Sequence, residues 1–187
     1  ERGFVFNMSV GYTLEGIKTE KMNAFIENLK DASSHPLFKE YKSIFRNELA
    51  GGKLAQFSKN AEEKKRIRES IDNISSYISK SVTLSTMHGC PPQEIEAIAK
   101  YLMRDKGLHT YIKLNPTLLG FDAVRDMLHS LGYITIDLDK ESFDHDLQFS
   151  DAIPMLRRLR EFAAQNGKEF GVKLSNTLGV KNTRKVL

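Results

Sequence analysis

From Lys80 onward the chain alternates short β-branched runs with longer amphipathic ones, and this rhythm restricts the fold more than any other feature. Residues 81–85 read as a strand. Residues 93–104 read as a helix that carries Ile95, Ile98 and Leu102 on one side. The pattern then repeats: strand at 110–114, helix at 121–131, strand at 133–138, helix at 151–165 and strand at 170–174. In the helix at 151–165, Ile153, Leu156, Leu159 and Phe162 are expected to point inward. Strands separated by single helices connect through right-handed crossovers into a parallel sheet. With residues 4–10, about five parallel strands with flanking helices are expected. A complete eight-stranded barrel takes about 250 residues. The 187 residues therefore suit a partial (β/α)8 TIM-type barrel or an open doubly wound sheet, and periodicity alone does not choose between these α/β architectures.

Between the first strand and this repeating part lies a helical stretch, over about 19–78. Thr19 is the expected N-cap of a first helix, with Met22, Phe25, Ile26 and Leu29 at helical spacing. Pro36 suits the first turn of a second helix, where its missing N–H costs little. Leu37, Tyr41, Ile44, Phe45 and Leu49 give that helix an expected buried stripe, and Gly51-Gly52 ends it. A third helix is expected over 61–78, with Ile67, Ile71, Ile74 and Ile78 on one side. The organisation expected is one domain over 1–187 with this stretch as an insertion. Strand-like residues appear directly after Glu1, and the chain stops at Lys185-Val186-Leu187. Both features suggest an internal piece of a larger protein whose exposed strand edges would favour self-association.

Composition removes several classes of function. No apolar run approaches the roughly 20 residues of a membrane helix. The single cysteine, Cys90, excludes an internal disulfide framework and suits a reducing, cytoplasmic compartment. The net charge of +4 comes partly from runs such as Lys64, Lys65, Arg66 and Arg68, which are mixed with acids. Such runs read as solvated helix faces and not as a nucleic-acid footprint. No Gly-x-Gly-x-x-Gly or Walker pattern follows any strand.

The chemistry-bearing residues gather at strand ends. Ser85-Thr86-Met87-His88-Gly89-Cys90-Pro91-Pro92 follows the strand at 81–85. In parallel α/β folds the loops after strands carry the active site. A thiol beside a helix start feels the positive end of the dipole, which lowers its pKa. Cys90 can therefore serve as general acid or nucleophile with His88 as its partner. The alternative is a small buried apolar Cys90 beside a turn histidine. No second Cys/His pair at ligand spacing supports a metal site.

Two later strands end alike, Lys113-Leu114-Asn115-Pro116 and Lys173-Leu174-Ser175-Asn176-Thr177. Lysine precedes asparagine by two positions at Lys113-Asn115, so the two side chains share a face. A lysine facing a barrel interior is costly unless it is paired, and facing a flavin or an anionic substrate would offset that cost. Otherwise it reaches solvent. Asp137, Asp139, Asp144 and Asp146 could bind a hard cation, but the stretch 137–146 reads more readily as a helix-free solvated loop.

Taken together, Asn7-Met8-Ser9-Val10-Gly11-Tyr12, the His-Gly-Cys-Pro-Pro block at 88–92, Lys113-Leu114-Asn115-Pro116-Thr117-Leu118-Leu119-Gly120 and Gly171-Val172-Lys173-Leu174-Ser175-Asn176-Thr177 resemble the selenate reductase subunit group. These are glutamate synthase-like bacterial flavoproteins whose N-terminal region is similar to the barrel of dihydropyrimidine and dihydroorotate dehydrogenases. The resemblance implies a (β/α)8 barrel within a multidomain NAD(P)H-linked oxidoreductase that carries FAD and iron–sulfur clusters elsewhere. It implies FMN in the complete barrel, with Lys113 facing the flavin and Asn115 beside it. Asn176 and Thr177 would contact a small-molecule substrate, and Cys90 would match the catalytic cysteine. Two departures accompany it. Thr83-Leu84-Ser85 stands where the pyrimidine enzymes carry an asparagine, and the cysteine loop is shortened to Gly89-Cys90-Pro91-Pro92. They admit a second reading, a non-catalytic scaffold within a redox complex that has lost FMN, its partners being the other domains or subunits.

Overall fold

The computed structural model describes residues 6–85, 89–174 and 176–181. Along the chain these form β1 (Asn7–Val10), α1 (Leu14–Ile17), α2 (Glu20–Lys30), α3 (Pro36–Gly51), α4 (Ala61–Asp72), β2 (Ser81–Leu84), α5 (Pro92–Arg104), β3 (His109–Leu114), α6 (Phe121–Ser130), α7 (Lys140–His145), α8 (Phe149–Gln165) and β4 (Phe170–Leu174). Single 3-10 turns lie at Lys53–Phe57 and Pro116–Leu119. The described residues divide into two compact units, one within Asn23–Lys80 together with Phe6, the other within Asn7–Met22 and Ser81–Leu187.

The second unit holds a parallel sheet of four strands in the order β1-β2-β3-β4. Asn7 pairs with Ser81, and Ser81 with His109, so the odd-numbered residues of the first three strands share one face. The opposite face carries Met8, Val10, Val82, Leu84, Ile112 and Leu114, all buried. Helix α5 lays Ile95, Ile98, Ala99 and Leu102 into this core, at the spacing the sequence predicts. Helix α8 packs on α5 through Ala152, Met155, Leu159 and Ala163, while Ile153, Leu156 and Phe162 are only half-buried at the margin of this stripe.

Glu96 joins the same two helices. It receives Arg158 Nη2 at 2.6 Å and Lys100 Nζ at 2.7 Å. The Arg158 hydrogen bond, helped by Lys100, holds the Glu96 carboxyl below the usual glutamate range against the opposing effect of burial. A carboxyl depressed in the folded state contributes stability above its unfolded pKa and loses it as pH falls through the folded value. Glu96→Gln is therefore expected to flatten the acid limb of the stability profile below the ordinary glutamate range and to leave its shape above neutrality unchanged. Thermal unfolding across a pH series reads this directly, and a mutant that keeps the wild-type acid slope would contradict it.

Three sequence expectations change in this unit. Residues 133–138 do not form a strand. Tyr133, Ile134 and Ile136 are exposed, and Leu138 makes only an isolated antiparallel bridge to Val180. The backbone there is held instead by Tyr133 N–H to the Leu128 carbonyl and Lys181 N–H to the Asp137 carbonyl. The β-branched run has the composition of a strand but gains no pairing neighbour in the sheet. The stretch 137–146 is not a helix-free loop either, because it contains α7. Phe143 drives this: it is buried with Val124 and Leu138 and meets the Phe121 ring edge-on, at 5.4 Å and 85°. Nor is Asp146 solvated, being only 7% exposed.

The first unit is helical. Pro36 opens α3 with the His35 Nδ1 accepting from Leu37 N–H at 3.3 Å, and α3 packs on the 3-10 turn and on α4. Asp72 clasps α3 to the end of α4, accepting Arg46 Nε on its carboxylate and Lys42 Nζ on its carbonyl, both at 2.7 Å. Ile26, Leu49 and Ile71 are buried, but the rest of the expected stripe on α3 (Leu37, Tyr41, Ile44, Phe45) is exposed. Helix α4 ends at Asp72, where Asn73 N–H bonds the Glu69 carbonyl, and does not run on to residue 78. Ahead of α2, in the part of the chain that belongs to the second unit, Thr19 does not cap the helix as expected; its hydroxyl donates to the Gly16 carbonyl.

Candidate functional site

The polar face of the sheet is built strand by strand from short hydroxyl and amide side chains. Asn7 Nδ2 donates to Thr83 Oγ1 at 2.6 Å, and the Ser81 hydroxyl donates to Asn7 Oδ1 at 2.7 Å. Ser9 and Ser85 hydroxyls lie 3.2 Å apart. At the carboxyl end of β1, Gly11 passes so near β2 that a Cβ there would stand 2.6 Å from the Ser85 carbonyl oxygen. Farther along, Lys113 of β3 pairs in register with Lys173 of β4. Lys113 is half-buried and Lys173 exposed, and no carboxylate bonds either among the described residues. Both faces of a parallel sheet are normally apolar and covered. This face departs from that pattern, with hydroxyl, amide and lysine side chains where apolar ones would be usual.

At the carboxyl ends the described residues converge on Asp146. Its Oδ2 accepts Asn115 Nδ2 at 2.8 Å and the Thr117 hydroxyl at 2.7 Å. Its Oδ1 accepts Leu147 N–H at 3.0 Å and Gly89 N–H at 3.4 Å. Asn115 Oδ1 in turn accepts Asn176 Nδ2 at 2.8 Å. One carboxylate thus gathers the loops after β2, β3 and, through Asn115, β4. Gly89 reaches it with φ at 78°, a conformation that a side chain would strain. The crevice bordered by Ile112, Lys113, Asn115, Thr117 and Asp146 encloses only about 10 Å³, the room of a single water.

Of the residues singled out in the sequence, Asn115 and Asn176 are brought into direct contact, and Lys113 lies on β3, which ends directly before Asn115. Cys90 is half-buried in the loop that Asp146 holds through Gly89. Burial pushes its thiol pKa up, with Glu94 and Asp146 adding to the rise, so the direction is opposite to that expected from the helix dipole alone. Glu94 faces the thiol from the first turn of α5, and its Oε1 also accepts Leu14 N–H at 3.3 Å. Thr177 is exposed and makes no hydrogen bond to this cluster among the described residues. His88 lies outside the described residues. Among those described, no three His, Cys, Asp or Glu side chains converge as a metal cage, and the Asp139 carboxylate is bonded by the Ser142 hydroxyl at 2.7 Å. Asp146 and Thr117 were not singled out from sequence as members of this site.

Four parallel strands alternating with helices are compatible with part of a TIM barrel, the class whose active sites lie at the strand carboxyl ends. The family described as "Oxidoreductase YgfK, N-terminal TIM-barrel domain" matches residues 1–187, and the chain belongs to it. Two relatives, from Escherichia coli K12 and Escherichia coli O157:H7, carry the provisional name oxidoreductase YgfK. Each is 48% identical over 190 residues, covering 100% of this chain and 18% of the relative. The chain thus spans under a fifth of the length of the curated relatives it matches. No solved structure matches the chain significantly. No helix among the described residues is long and apolar enough to cross a membrane.

Proposed function

We propose that the chain is part of the barrel domain of a multidomain, cytoplasmic NAD(P)H-linked flavin and iron–sulfur oxidoreductase, and that it supplies the substrate-side site. The observation that carries this reading is the convergence of Asn115, Asn176 and the Cys90 loop at the carboxyl ends of β2 to β4, beside Lys113 and Lys173 on the polar face. The relatives' name supports the oxidoreductase class. Two adjacent lysines without a bonded carboxylate suit the electron-rich end of a flavin ring, which is where FMN would rest, with Asn115 next to it. FMN there would accept an electron pair and pass electrons on singly. Cys90, whose pKa is raised, holds its proton near neutrality and so acts as a general acid with His88 as its proton partner. Asn176 and Thr177 contact the substrate. FAD, NAD(P)H and the clusters belong to other parts of the parent.

Flavin released from gently purified full-length protein and separated by chromatography tests this. FMN is expected beside FAD, and Lys113→Ala is expected to weaken FMN retention about tenfold while leaving FAD in place. FAD alone in the wild-type protein would remove the flavin-barrel reading. One observation favours the second reading, a scaffold within a redox complex that has lost FMN. The hydroxyl and amide groups of Asn7, Ser81 and Thr83 already satisfy one another across the sheet.

A further inference from the structure

Asp146 is the most buried acid among the described residues, at 7% exposure, and its carboxylate accepts from Asn115 Nδ2, the Thr117 hydroxyl, Leu147 N–H and Gly89 N–H. An ionised carboxylate can only accept. Asn115 must therefore turn its NH2 toward Asp146, and its carbonyl oxygen is left to receive the Asn176 NH2. A side-chain amide on its own can flip end for end at little cost. The carboxylate removes that freedom for both asparagines in sequence. The same group accepts Gly89 N–H, one residue before Cys90, and its charge adds with that of Glu94 to the rise that burial gives the thiol pKa.

We propose that Asp146 is a positioning residue for this site: its buried carboxylate sets the orientation of the Asn115–Asn176 amide pair and ties the Cys90 loop to the carboxyl end of the sheet. It acts through Asn115, Thr117 and Gly89 and not by touching substrate. The role rests on the proposed site, but it does not require FMN to be the cofactor.

The test uses Asp146→Asn in the full-length protein, with two readouts resolved by peptide mass spectrometry. Alkylation of the Cys90 peptide by iodoacetamide is followed across a pH series, and amide hydrogen exchange is followed in the peptides around 89 and 115–118. Losing the negative charge beside the thiol is expected to move the alkylation midpoint down by roughly half a pH unit. Exchange in both peptides is expected to quicken about tenfold, while α5 and α8 keep wild-type protection. A general packing role would not move the alkylation midpoint. An unchanged midpoint with unchanged exchange would overturn the proposal, and so would quicker exchange with an unmoved midpoint. If Asp146→Asn does not accumulate as folded protein, Thr117→Val removes one donor and keeps the shape. It is expected to quicken exchange at 115–118 and around 89, and wild-type exchange there would overturn the proposal equally. Flavin content, measured on the same preparations, reports separately on the cofactor reading. Absent FMN with a moved midpoint would sink that reading and leave the positioning role intact.

Discussion

Leu102→Ala is expected to destabilise the sheet-bearing unit by about 2–5 kcal/mol, the range for deleting a fully buried leucine side chain and leaving a cavity. Leu102 has no exposed surface, and its neighbours on the α5 face, Ile98 and Ala99, are equally enclosed. Part of the loss is transfer energy and part is the void, because α5 is held between the sheet and α8 and cannot collapse into the space. Hydrogen exchange in the peptides of β2, β3 and α5 is the suitable measurement, since the chain divides into two units and a single global transition is not assured. Their exchange is expected to quicken, while peptides of α3 and α4 keep their rates. Leu131→Ala provides a contrast. That residue is 72% exposed, and a change of under about half a kcal/mol is expected.

The difference between these two leucines was partly legible in the sequence. Leu102 falls at helical spacing from Ile95 and Ile98, and the period alone places all three on one face. Strand β3 was equally readable, because Thr110, Ile112 and Leu114 alternate with His109, Tyr111 and Lys113. Periodicity states that residues share a face, however, and does not state that the face is covered. Leu37, Tyr41, Ile44 and Phe45 have the same period as the α5 stripe and are exposed. Residues 133–138 show the corresponding limit for strands, since composition supplies the propensity but a neighbouring strand supplies the hydrogen bonds. In α7 the signal was masked by charge. Four aspartates between 137 and 146 surround Phe143, and the single buried ring outweighs them in deciding the local structure.

For the site, the asparagines and Lys113 were legible because strand ends repeat a pattern. Asp146 was not. It lies 31 residues beyond Asn115 and 57 beyond Gly89, and its partners meet only once the loops after β2 and β3 are brought together. No local spacing encodes that meeting. The same remoteness misdirects the reading of Cys90. Its place before a helix suggests a lowered pKa, but the burial and Asp146 that raise it come from the assembled site, and only Glu94, in the first turn of α5, is local.

Asp146→Leu is expected to be far more damaging than Asp146→Asn, by about 3 kcal/mol or more. Leucine is similar in size and better suited to a buried position on hydrophobic grounds. That gain, on the order of 1–2 kcal/mol, is set against the donors it leaves behind. The buried Thr117 hydroxyl and the half-buried Asn115 Nδ2 and Leu147 N–H lose this acceptor at once, and a fully buried donor without a partner costs about 1–3 kcal/mol. Asparagine retains one acceptor oxygen and can keep some of these bonds, so it relaxes the site without emptying it. Pairing Asp146→Leu with Thr117→Val separates the two contributions. If unsatisfied donors are the cause, the double variant recovers part of the loss, because one orphaned hydroxyl is removed together with its acceptor. Folded yield and exchange at 115–118 and 143–148 give the order: Asp146→Asn least affected, then the double variant, then Asp146→Leu. Equal damage from Asp146→Asn and Asp146→Leu would show instead that the negative charge, and not the set of accepted hydrogen bonds, is what the loops require.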